Sequence, residues 1–108
     1  MSSPILLVLC TAPDPDSAKE ISQAVVAEKL AACVNRLIDV QSVFRWEGTV
    51  QSEAEVLLLL KTTEVAYPRL EKRLVELHPY ELPEVIAVEV SRGLDGFLDW
   101  IREGTSDG

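Results

Sequence analysis

Three short runs of this chain are apolar at nearly every position: residues 5–10 (Ile-Leu-Leu-Val-Leu-Cys), 56–60 (Val-Leu-Leu-Leu-Leu) and 85–90 (Val-Ile-Ala-Val-Glu-Val). Runs so short and so apolar read as strands buried on both faces. Amphipathic stretches separate them. Thr11-Ala12-Pro13-Asp14-Pro15-Asp16 is a loop that ends in a helix-start signal. Asp14 ahead of Pro15 makes a good N-cap with proline in the first turn, while Ser17 with Glu20 offers a competing capping box. From either start the spacing predicts a helix to about Leu30, with Ala18, Ile21 and Val25 facing inward.

Residues 33–46 alternate, which predicts a long half-buried strand with Val34, Ile38, Val40, Phe44 and Trp46 on one face and Asn35, Asp39, Gln41 and Arg45 on the other. Fourteen extended residues exceed the usual length of about five or six, so a bulge or bend is expected. Glu47-Gly48 supplies a turn, and residues 49–62 return as the partner strand. Tyr67, Leu70, Leu74 and Leu77 form the stripe of a second helix, with Pro68 in or near its first turn. Residues 78–84 (His-Pro-Tyr-Glu-Leu-Pro-Glu) are a loop, Leu94, Phe97, Leu98 and Ile101 mark a short C-terminal helix, and residues 104–108 read as a loose tail. The order β-α-β-β-α-β plus an added helix predicts an α+β fold, the ferredoxin-like split βαβ sandwich, with residues 1–108 as one domain. Two helices cover only one face of such a sheet, yet the apolar runs call for burial on both. A homotrimer that packs the open faces together is therefore expected.

Composition narrows the function. The chain is 47% hydrophobic and 26% charged, which suits a folded domain. Eighteen acidic against ten basic residues give a net charge of -8. That disfavours nucleic acid and anionic membrane surfaces as partners; a cation, a neutral small molecule or a protein fits better. The aliphatic central strands also lack the aromatic platform with which RNA-binding sheets stack bases. Cys10 and Cys33 are the two cysteines and form neither a Cys-x-x-Cys motif nor a disulfide framework. The short run at 5–10 is preceded by no basic segment, so a cytoplasmic location is expected.

Five segments in register carry a resemblance to a known family: Cys10-Thr11-Ala12-Pro13-Asp14, Glu28-Lys29-Leu30-Ala31-Ala32-Cys33-Val34-Asn35, Ser42-Val43-Phe44-Arg45-Trp46-Glu47-Gly48, Glu55 with Lys61-Thr62-Thr63, and His78-Pro79-Tyr80-Glu81-Leu82-Pro83-Glu84. Together they resemble the CutA divalent-cation tolerance family over nearly the whole chain. The resemblance implies a ferredoxin-like trimer and a role associated with divalent cations, notably copper.

Thiolate and imidazole suit copper, especially Cu(I), and zinc. Cys10 ends the first strand and His78 the second helix, toward the same end of the predicted sheet. The resemblance implies a copper site built, in some bacterial relatives, from a cysteine at position 10 and histidines at positions 77 and 78. This sequence keeps Cys10 and His78 but has Leu77, which falls on the apolar stripe. Two ligands make a weak site unless Glu84 or a neighbouring subunit supplies a third. The competing reading is an inert buried Cys10 and a His78 that caps a helix C-terminus.

A ligand cleft is the second candidate. Trp46, Lys61, His78, Tyr80 and Glu84 combine aromatic surface with placed polar groups, and the resemblance extends to the trimeric PII signalling proteins, which bind ligands between subunits. The competing reading packs Trp46 and Tyr80 at an interface and pairs Lys61 with an acid. Catalysis is not expected. Cys10 and His78 lack an orienting third group and an evident oxyanion hole, and no phosphate-binding glycine motif is present.

Overall fold

The computed structural model describes residues 2–106. The elements run β1 (Ile5–Ala12), α1 (Pro15–Ala27), β2 (Cys33–Trp46), β3 (Thr49–Thr63), α2 (Tyr67–Leu77), β4 (Ile86–Glu89) and α3 (Asp95–Gly104). The four strands form one antiparallel sheet in the order β2-β3-β1-β4. The fold is mixed α+β, and its two central strands carry two of the three apolar runs.

Pairing along β1 and β3 sorts their residues by face. Val8, Cys10 and Ala12 lie opposite Leu60, Leu58 and Val56, and all six are at most 2% exposed. They pack with Ala18, Ile21 and Val25 of α1 and Leu70 and Leu74 of α2 in one core. Each fully buried Leu there contributes about 1.5–3 kcal/mol. The intervening residues Leu7, Leu9, Leu57 and Leu59 point to the other face and are only half-buried. Burial on both faces, expected from the runs, is thus met on one face within a single chain. α3 contacts β1 and β3, and Ile101 is buried; Leu94, Phe97 and Trp100 of the same region are exposed. The stripe of α3 is therefore buried at Ile101 and only half-buried at Leu98.

Local chemistry fixes the element ends. Asp14 is the N-cap of α1: its carboxylate accepts from the Ser17 backbone N–H at 2.8 Å. Cap and proline thus win over the capping box. The helix stops at Ala27, short of Leu30. Lys29 turns left-handed at φ 61°, and the N–H groups of Lys29 and Leu30 bond Val26 O at 3.1 Å and Val25 O at 2.9 Å, a Schellman ending. Glu47 and Gly48 both take positive φ, the pattern of a tight two-residue hairpin turn. At the other end of the chain Gly104 belongs to α3, and Thr105 is buried and hydrogen-bonds Ile101 O at 3.0 Å. The tail is therefore anchored as far as Thr105, and residues 107–108 lie outside those described.

The bulge in β2 changes what its residues face. The register slips between Leu37 and Val40, with Asp39 at φ 63°. Before the slip Val34 lies opposite core residue Leu60; after it Val40, Ser42 and Phe44 lie opposite Glu55, Glu53 and Gln51 on the other face. The single apolar face expected from simple alternation is therefore split, with Val34 on the helix side and Val40, Phe44 and Trp46 on the open side. Ile38 is 61% exposed, so this stretch is not half-buried in one chain.

Candidate functional site

The loop at 78–84 folds back over the end of β1 and the middle of β3. His78 is the C-cap residue of α2, and its backbone N–H bonds Leu74 O at 2.9 Å. Its ring does not cap the helix. Nδ1 accepts from the Tyr80 backbone N–H at 3.1 Å, so in the neutral ring Nε2 carries the proton and donates to Thr11 O at 2.6 Å. Tyr80 stacks obliquely on that ring at 4.8 Å between centroids and donates its hydroxyl to Glu55 at 2.8 Å. The two prolines of the loop and these three bonds fix it against the sheet.

Cys10 and His78 both approach one backbone atom, the Thr11 carbonyl oxygen, Cys10 Sγ at 3.9 Å and His78 Nε2 at 2.6 Å. Cys10 is fully buried. Burial pushes its thiol up to about 12, with the charges of Glu84 and Glu55 adding to the shift. At neutral pH it is a thiol, not a thiolate, and makes a poor nucleophile. Both ring nitrogens of His78 are engaged. Leu77 packs against the core, as the apolar stripe predicts. Among the described residues no three His, Cys, Asp or Glu side chains converge on a metal-sized point.

Beside this corner lies an open cleft of about 840 Å³. Trp46, Tyr80 and Glu84 line it together with Phe44, Glu53, Glu55 and Glu81. Lys61 does not. It sits farther along β3, where Nζ reaches Asn35 Oδ1 and approaches Cys33 Sγ at 3.7 Å. Of the five residues expected there, Trp46, Tyr80 and Glu84 line the cleft within one chain, and His78 and Lys61 do not. Burial pushes the Tyr80 phenol up to about 12, reinforced by its bond to Glu55 and by the charges of Glu55, Glu53 and Asp14. Sequence reasoning missed Phe44, Glu53 and Glu55. The alternation Glu53-Ala54-Glu55 before the apolar run was visible, but only the bulge shows that these acids share a face with Phe44 and Trp46.

Residues 6–104 match the family described as CutA1 divalent ion tolerance protein. The divalent-cation tolerance protein CutA of Thermus thermophilus is 46% identical over 99 residues, spanning 92% of this chain and 96% of that protein. The human protein CutA is 41% identical over 95 residues, 88% of this chain but 53% of its own length. Among solved structures, the divalent cation tolerance protein from Thermus thermophilus superposes with a TM-score of 0.92 at 44% identity, covering 94% of this chain and 99% of that one. CutA1 from Oryza sativa superposes with a TM-score of 0.95 at 36% identity, covering 99% and 98%. With its whole fold matched at these identities, the chain belongs to the CutA1 divalent ion tolerance family.

Proposed function

We propose that the chain serves divalent-cation tolerance without catalysing a reaction, as a cytoplasmic, ferredoxin-like homotrimer that holds copper weakly through Cys10 and His78. The observation that supports this reading is the approach of each side chain to the same atom, Thr11 O. Within one chain the fit is partial. Metal must displace a proton from a buried thiol and free a ring nitrogen already in use, so affinity is low and rises with pH. Glu84, whose charge acts on Cys10, or a neighbouring subunit completes the ligand set. The trimer is supported by the exposed apolar positions on the sheet and α3, among them Ile38, Ile86, Val88 and Leu94, each more than half exposed. Titration calorimetry with Cu(I) under reducing conditions tests the site. Cys10→Ser and His78→Ala should each weaken binding, and equal affinity in all three proteins would remove it.

A second reading is favoured by the cleft itself: a trimeric sensor or scaffold, comparable to the PII proteins, that binds a small ligand where Trp46, Tyr80 and Glu84 meet. Ligand-induced thermal stabilisation separates the two readings, since metals and organic ligands raise the midpoint according to their affinity.

A further inference from the structure

We draw no further inference here: the strongest candidate, the Cys33 and Lys61 side chains paired across the start of β2 and the end of β3 with Nζ 3.7 Å from Sγ, lies on the same open sheet face as Leu7 and Leu59, which the proposed trimer covers, and rests on one cysteine with no second observation to name a reactant or ligand for it.

Discussion

The His78 ring donates to the Thr11 carbonyl oxygen at 2.6 Å while accepting from the Tyr80 backbone N–H at 3.1 Å, and so joins the end of α2, the end of β1 and the following loop through one side chain. His78→Ala leaves a part-buried carbonyl and an amide without these partners. Each lost bond of this kind costs about 0.5–1.5 kcal/mol and more when a group stays unsatisfied. Urea unfolding should show a loss of about 1–3 kcal/mol, and the Tyr80 amide should exchange faster with deuterium. Unchanged stability and unchanged protection would show that the ring does not hold the loop.

Cys10 gives the protein an alkaline weakness with a definite sign. Its thiol is raised from 9.0 to about 12 in the fold. Below 9.0 it is protonated in both states and its stabilisation is complete. Above that value the unfolded chain releases the proton first, and stability falls by about 1.4 kcal/mol per pH unit until the folded value is passed. Tyr67 and Tyr80, raised from 10.0 to about 12, add losses of the same sign at higher pH. Denaturation of Cys10→Ala should therefore give a flatter stability profile between 9.0 and 10.0, before the tyrosines enter. A slope equal to wild type would mean the thiol is not perturbed.

Leu58 and Leu59 face opposite sides of β3 and should separate folding from assembly. Leu58 is fully buried in the core, and Leu59 is half-buried on the open face. Leu58→Glu places a charge among aliphatic side chains and should prevent folding. Leu59→Glu should keep the fold's circular dichroism but shift sedimentation equilibrium from the proposed trimer toward the 11.9 kDa chain, with a lower melting temperature. A Leu59→Glu protein that still sediments as a trimer would exclude this face from the interface.

Asp39 sits in the β2 bulge at φ 63°, a conformation that Asp tolerates and a β-branched residue does not. Asp39→Val should cost about 1–2 kcal/mol, read as a lower melting temperature, whereas Asp39→Gly should be neutral or slightly stabilising. Equal melting temperatures for the two variants would show that the left-handed bulge is not required.

Gly104 approaches the chain entering β2: a Cβ built there would lie 2.9 Å from Ala32 Cβ and 3.3 Å from its Cα. Backbone cannot yield as a long side chain can, so Gly104→Val should loosen α3 and cost about 1–3 kcal/mol. Faster amide exchange at Ile101 and Thr105 would accompany it, and unaltered exchange would argue against close docking.

The sequence by itself determined the order of the elements, the core stripes of α1 and α2, the hairpin turn at Glu47-Gly48 and the family, because hydrophobic period, capping and turn chemistry are local. Residues 5–10 and 56–60 had to be central strands, and they are. What only the tertiary structure decided depends on register and on contacts between distant segments. The slip at Asp39 moves Phe44 and Trp46 to the side of Glu53 and Glu55, a change of face that alternation cannot reveal because one extra residue inverts every side chain after it. The choice between Asp14 and Ser17 as cap, and the ending of α1 at Ala27, turned on backbone bonds open to either reading. Lys61 falls away from Trp46, Tyr80 and Glu84 because strand length, not residue type, sets its distance. Whether His78 is a free ligand or an occupied one was decided by a carbonyl 67 positions away, which no local pattern encodes.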